Sequence, residues 1–501
     1  MTFSLALAAQ LLMAALAGVA LIAACRWLRR RSALCASIVV AGVLVRAALG
    51  LALFWTSYLN LPLLRQQHTG DGFWKLAIDA TTYYYLALHA AERGLASIVA
   101  GSASPLFVKP LALWLRAMGP SPINGAYFNI AVYVMFSVIV VAAFRPTGKW
   151  RDDLPCAVTL TAVSFSPVLL IYGSQPLKDT MFVCLIGVAC VCAFLFLPWL
   201  TMKRGSAAGA LAAGVAFTAA QYFIGGIRPY YGVLAWSALA LVLFVFLWNQ
   251  RWARVLPYAA LSTVLLTGAW MSYSAGADIA YFNPYTKVID KAWTLAGLKP
   301  PARPAPKNAP EAAPTIVGMV DQYRIGFTST PGKTNVVPKQ PRPKAAAPAP
   351  AAVEETAPSL VTAPPVSGAA DGGEGRVPVV ATGLALIFVP VSILRAFSIV
   401  DLTGGRALLA MADVDTIFMD LTIGAALALV VRRRSIVGDR LAYVCFTVIL
   451  GVTAALLMAY VVTNFGTLFR LRLMAAAPLW MLPLALAIRS GARGAAPVGQ
   501  D

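Results

Sequence analysis

Long apolar runs recur along the chain, most of them close to or above the roughly 18 residues that a helix needs to cross a bilayer core. They cover residues 5–24, 34–55, 126–144, 157–172, 181–197, 208–227, 231–248, 255–273, 414–431, 441–462 and 473–488. One such run would be a signal or an anchor, whereas a series separated by short basic loops makes the bilayer the solvent of the protein. Composition agrees: 59% of the 501 residues are hydrophobic and 12% charged, against about 25% charged in soluble domains. With a mean hydropathy of +0.75, an ordinary soluble enzyme is excluded. The expected fold is an all-α polytopic membrane protein of about eleven transmembrane helices, within a range of roughly ten to thirteen.

The arginines set its direction. No Lys or Arg precedes the first run, whereas Arg26, Arg29, Arg30 and Arg31 follow it at once, the reverse of a signal peptide. The positive-inside rule then puts the amino terminus in the periplasm and this cluster in the cytoplasm. Counting onward, Arg145, Lys149 and Arg151, Lys203 and Arg204, Arg251 and Arg254, Arg432, Arg433 and Arg434, and Arg489 and Arg493 all fall on the cytoplasmic side, with the carboxyl terminus. The expected location is a bacterial inner membrane. The formal net charge of +20 belongs to these loops, and no nucleic-acid motif accompanies it. The alternation holds only if the short stretch 381–394, with Pro390 inside it and Arg395 at its end, is a re-entrant or interfacial helix. A twelfth span with a reversed neighbour is the alternative.

Three regions follow: an N-terminal transmembrane region over 1–273, a periplasmic loop over 274–376 and a C-terminal transmembrane region over 377–501. Stretches 298–314 and 338–365 of the loop are dominated by Pro and Ala, a composition that cannot build a packed core and reads as largely disordered. The intervening 315–337 carries Val320-Asp321-Gln322-Tyr323-Arg324-Ile325-Gly326-Phe327 and is expected to dock on the membrane domain.

All seven cysteines, Cys25, Cys35, Cys156, Cys184, Cys190, Cys192 and Cys445, lie in apolar runs or beside them on the cytoplasmic side, so no disulfide is expected. Two histidines, His68 and His89, are a poor basis for a zinc site. No cofactor is indicated; a divalent metal on a diphosphate is conceivable, with Asp71 or Asp79 nearby, but the sequence does not require it.

The polar residues capable of chemistry gather at the outer ends of the spans, with Arg46 and Asp420 the candidates within them. A transporter keeps its ionisable residues near mid-membrane. The first large outer loop contains Thr69-Gly70-Asp71-Gly72 and then a helical pattern over 79–94, with Tyr83, Leu86, Ala87 and Ala90 on one face and Gly94 as its stop. Asp79 opens that helix, either as an N-cap or as a functional acid. Three further clusters face the same side: Ser174-Gln175-Pro176-Leu177-Lys178-Asp179, Ile227-Arg228-Pro229-Tyr230-Tyr231-Gly232, and Asn464-Phe465-Gly466-Thr467-Leu468-Phe469-Arg470-Leu471-Arg472.

An acid opening an amphipathic helix in the first external loop, with a tyrosine four residues on, resembles the integral-membrane glycosyltransferases of the GT-C fold class. The three clusters resemble stretches of multispanning proteins of bacterial polysaccharide pathways. The resemblance implies a polyprenyl-phosphate or polyprenyl-diphosphate sugar donor, with Asp79 as the base that activates the acceptor hydroxyl and Asp71 in reserve. It further implies donor phosphate binding by Lys178, Arg228, Arg324, Arg470 and Arg472, since cations stabilise a phosphate leaving group and Arg pairs two oxygens at once. Each of these has a plainer role as a snorkelling headgroup anchor. Tyr83, Tyr230 and Asn464 are the remaining substrate-binding candidates. The implied partners are membrane lipid, the polyprenyl-linked sugar, a glycan or lipid acceptor and other polysaccharide-assembly proteins.

Other readings stand beside this one. An O-antigen-type polysaccharide polymerase or ligase would depend mainly on the outer arginines. A lipid-linked-sugar transporter would need a polar cavity through the bundle, and a non-catalytic membrane subunit would use its Pro-rich loop to reach a partner. Neither a Gly-x-Ser-x-Gly elbow nor a His-Glu-x-x-His helix nor a Gly-x-x-x-x-Gly-Lys-Ser/Thr loop occurs, so hydrolase and nucleotide-binding readings have no support.

Overall fold

The computed structural model describes residues 2–98, 104–202, 206–247, 407–461 and 470–487. The expected span 255–273, the whole loop 274–376 with its docking segment, the stretch 381–394, Arg324 and Asn464 lie outside the described residues.

Helices α1 (Thr2–Arg31) and α2 (Ala33–Tyr58) form the first hairpin. It turns at Ser32, whose hydroxyl accepts from the Cys35 amide at 3.2 Å and so caps α2. The chain then builds two short helices, α3 (Asp79–Arg93) and α4 (Pro105–Met118), before α5 (Pro122–Phe144). Next come α6 (Trp150–Phe165), α7 (Pro167–Gly173), α8 (Asp179–Met202), α9 (Ala207–Ile227) and α10 (Pro229–Leu247). After the undescribed region follow α11 (Ala407–Arg432), α12 (Leu441–Val461) and α13 (Leu473–Trp480). Among the described residues the fold is helical throughout, apart from one isolated antiparallel bridge between His68 and Trp74.

Seven helices are long and apolar enough to cross a membrane, or eight if the bent pair α6 and α7 is one span. Two shorter apolar helical segments, Tyr230–Phe246 and Leu473–Leu486, coincide with two more of the expected runs. The run 157–172 is not one straight helix. It breaks at Ser166 and bends by 49°, because Pro167 has no amide to continue the ladder. The run 473–488 likewise gives α13 and then a 3₁₀ turn, Leu482–Leu486, with Pro478 and Pro483 in its path.

Helix α8 is the hub. It packs against α5, α9, α12 and α13, and most of its apolar surface is enclosed, with Leu195 an exposed exception. Phe182, Ile186, Cys190, Ala193 and Leu197 are all buried. Helix α1 is the opposite case, with Leu11, Leu16, Val19 and Ile22 more than half exposed, a surface suited to lipid. The basic turns meet at one end of the bundle: Arg433 donates to the Arg151 carbonyl at 3.0 Å, and Arg440 to those of Leu484 and Ala485 at 3.3 and 2.9 Å.

At the other end α3 and α4 pack on each other. Each stops at a glycine in the positive-φ region, Gly94 (+95°) and Gly119 (+102°), which donates to the carbonyl four residues back. Only glycine adopts that conformation without strain. Helix α3 buries Ala80, Tyr83, Tyr84, Ala87 and Ala90, and α4 buries Phe107, Val108, Leu111, Ala112 and Leu115, so the amphipathic face read over 79–94 is the face that packs.

Candidate functional site

The centre of the polar end is Asp179, the first residue of α8. It is 3% exposed and accepts from two arginines distant in sequence. Its Oδ1 takes Nη2 of Arg228 at 2.7 Å, and its Oδ2 takes Nη2 and Nε of Arg470 at 2.7 and 3.1 Å. Arg228 is held extended between α9 and α10 (φ −149°, ψ 91°) because it precedes Pro229, which disfavours the helical region. It also donates from Nη1 to the Tyr230 hydroxyl at 3.1 Å and lies 5.2 Å from the Phe182 ring centre.

Arg470 extends the chain of charges outward. Its Nη1 donates to Oδ2 of Asp79 at 3.0 Å, and its guanidinium lies 5.1 Å from the Tyr172 ring centre. Burial pulls the Arg470 pKa down, but Asp179 and then Asp79 carry it above the ordinary arginine value. The result is a linear array, Asp79, Arg470, Asp179, Arg228 and Tyr230, drawn from four separate parts of the sequence. Its inner pairs are dry and its outer member is not: the Asp79 side chain is 50% exposed and that of Asp179 4%. Asp79 opens α3, yet the position before the helix is Ile78, with no side-chain cap. The carboxylate goes to Arg470 instead of to an α3 amide, so the N-cap alternative does not hold.

Lys178 stands beside Asp179 in sequence without pairing to it directly. Its ammonium donates to Ser104 Oγ at 2.5 Å and to the Ile227 carbonyl at 3.5 Å, and lies 5.3 Å from the centre of the buried Tyr83 ring. Among the described residues no carboxylate stands within salt-bridge distance of it. Tyr230 reaches Met474 Sδ at 3.8 Å and Tyr231 donates to the Met474 carbonyl at 3.1 Å, tying the start of α10 to α13.

Two expected residues stand apart from this array. Asp71 is exposed between Gly70 and Gly72, both with positive φ. Its loop is tied to the turn before α8 through Gln175, which donates to the Gly72 carbonyl at 3.4 Å, but among the described residues no hydrogen bond or ion pair links Asp71 itself to the array. Arg472 forms a separate buried pair, its Nη2 on Oδ2 of Asp415 at 2.6 Å with side chains 3% and 1% exposed; it also donates to Thr416. Lys178, Arg228, Arg470, Asp79, Tyr83 and Tyr230 are thus gathered together, and Arg472 is engaged elsewhere.

Sequence reasoning passed over Asp179 and Asp415 as site residues. Both are acids at the edge of an apolar run, where an unpaired charge would be costly, and that was the signal that each has a cationic partner. Among the described residues no group of three or more His, Cys, Asp or Glu side chains could hold a metal ion. Comparison of the chain with protein-family models, with curated proteins and with solved structures gives no match.

Proposed function

We propose that the chain is a membrane glycosyltransferase of GT-C type. It transfers a sugar from a polyprenyl-phosphate or polyprenyl-diphosphate donor to an acceptor hydroxyl on the periplasmic face of a bacterial inner membrane, in surface or exported polysaccharide assembly. The observation that carries the reading is the contact of Asp79 with Arg470 at 3.0 Å, which sets a half-exposed carboxylate beside a guanidinium, in an array flanked by Lys178, a cation with no carboxylate in ion-pair contact among the described residues. Displacement at an anomeric carbon needs both functions: a carboxylate to take the proton of the attacking hydroxyl, and fixed positive charge where the phosphate departs. The acceptor oxygen bonds to the sugar carbon, the bond from that carbon to the phosphate oxygen breaks, and the proton goes to Asp79, which then loosens its hold on Arg470 Nη1, so that this donor and Lys178 meet the leaving phosphate.

The polymerase or ligase reading, which depends mainly on the outer arginines, is less well served, since Arg228 is tied to Asp179 and Tyr230 and Arg470 to Asp179 and Asp79.

The test is transfer by the purified chain in lipid nanodiscs, supplied with a panel of polyprenyl-phosphate sugars and with the glycans and lipids of its host as acceptors. Transfer that falls at least a hundredfold in Asp79→Asn, with folding unchanged, supports the assignment. Transfer that survives Asp79→Asn removes Asp79 as the base.

A further inference from the structure

Arg46 lies near the middle of the 26-residue helix α2, at the depth where a charge is most costly, and is 1% exposed. Among the described residues no carboxylate pairs with it. Its guanidinium donates instead to three carbonyls: Val163 at 2.6 Å, Ser164 at 2.7 Å and Gly42 at 3.2 Å. Its face lies 4.0 Å from the centre of the Tyr133 ring, whose hydroxyl is 2.6 Å from Ser164 Oγ.

Those carbonyls are not arbitrary. In a continuous helix the Val163 carbonyl would accept from residue 167 and the Ser164 carbonyl from residue 168. Residue 167 is proline and has no donor, and the Val168 amide is turned away to Oδ1 of Asp415 at 3.0 Å. The break between α6 and α7 therefore leaves the Val163 and Ser164 carbonyls and the Val168 amide without helical partners inside the membrane, where unsatisfied groups are strongly unfavourable; the Leu169 amide, also freed, is taken locally by Ser166 Oγ at 3.4 Å. Arg46 satisfies the carbonyls, where the dipole of α6 is negative. Asp415 satisfies the amide, where that of α7 is positive, and takes the Ser166 hydroxyl as well at 3.1 Å.

We propose that Arg46 and Asp415 form a charge lock that holds the α6–α7 break in its bent state and so positions the polar end of the bundle. The link is direct. Helix α7 carries Tyr172, whose ring lies against Arg470, and runs into the turn that presents Lys178 and Asp179. Arg46 is a positioning residue that acts through α7, and its role does not depend on which reaction the site performs.

The lock predicts a specific coupling between Arg46 and Pro167, because an alanine at 167 supplies the amide that the Val163 carbonyl lacks. The reporter is Ser174→Cys, at a position 4% exposed at the end of α7, labelled with a membrane-impermeant maleimide in nanodiscs; the protein without this substitution gives the background of the native cysteines. Labelling should rise at least tenfold in Arg46→Met, with Pro167→Ala alone near the parent. The Arg46→Met/Pro167→Ala protein should regain most of the folded yield and unfolding midpoint that Arg46→Met loses, because its 167 amide satisfies the Val163 carbonyl, while its labelling stays raised because the helix is no longer held bent. If Arg46→Met does not fold, recovery of folded protein in the double variant is the expected result. Two outcomes overturn the proposal: an Arg46→Met protein that labels like the parent, or a double variant no better folded than Arg46→Met.

Discussion

Asp79 and Asp179 hold the same guanidinium, that of Arg470, at 3.0 and 2.7 Å, yet one side chain is 50% exposed and the other 4%. The same ion-pair chemistry therefore has two different consequences. The inner carboxylate is enclosed between two arginines, and the outer one is open on its other side.

The first prediction separates these roles by stability. Asp179→Ala leaves Arg228 buried without its counter-ion and Arg470 with Asp79 alone, and should cost about 3–5 kcal/mol, the usual penalty for breaking a buried pair. Asp79→Asn should stay within about 1 kcal/mol of the parent, as exposed pairs do. Thermal unfolding in detergent measures both. Equal losses would mean that Asp79 is as structural as Asp179.

Lys178 is predicted to carry phosphate affinity. Native mass spectrometry with undecaprenyl phosphate should show Lys178→Met binding at least tenfold more weakly, in line with the roughly 1.5–3 kcal/mol of a hydrogen bond to a charged group, while Lys178→Arg retains most of it. Unchanged binding in Lys178→Met would move the phosphate site elsewhere.

Gly42 is predicted to be intolerant of any side chain. A Cβ there would stand 2.5 Å from the Tyr133 hydroxyl and 3.0 Å from Ser164 Cβ, at the point where α2 approaches α5 and α6 around Arg46. Gly42→Ala should cost about 1–3 kcal/mol, the range for overpacking. Gly214, also helical, has nothing within 4 Å of that position, so Gly214→Ala should leave the unfolding midpoint level or raise it. A midpoint that does not fall in Gly42→Ala would show that the three helices are not in close contact there.

Sidedness is testable with two exposed positions, Asp71 at the polar end and Lys149 among the basic turns. In spheroplasts, Asp71→Cys should react with an impermeant maleimide directly and Lys149→Cys only after permeabilisation. The reverse pattern would invert the topology, and with it the periplasmic assignment.

Much of the candidate site is legible in the sequence. The basic loops order the ends of the spans, and that order alone puts Asp79, Lys178, Arg228 and Arg470 on one face, where the structure gathers them. The α3 boundaries followed from local chemistry, because a helix that meets Gly94 has a stop built into its sequence. The pairings were not legible. Nothing local joins Asp179 to Arg470 or Asp415 to Arg472; each contact depends on how α7, α11 and α13 pack. The α6–α7 break was half legible: Pro167 stands in the sequence, but a proline inside an apolar run is also compatible with a kinked continuous span. What distinguishes the cases is a distant arginine and a distant aspartate that take up the freed backbone groups. The freed carbonyls in turn explain how Arg46 resides at mid-span with no carboxylate paired to it among the described residues.

The most direct test of the account is a cryo-EM map of the chain in nanodiscs containing undecaprenyl phosphate. The account predicts phosphate density within about 3 Å of the Lys178 ammonium or the Arg470 guanidinium, in a cavity that Asp79 also lines. Lipid phosphate bound away from these residues, with Asp79 still closed on Arg470, would contradict it.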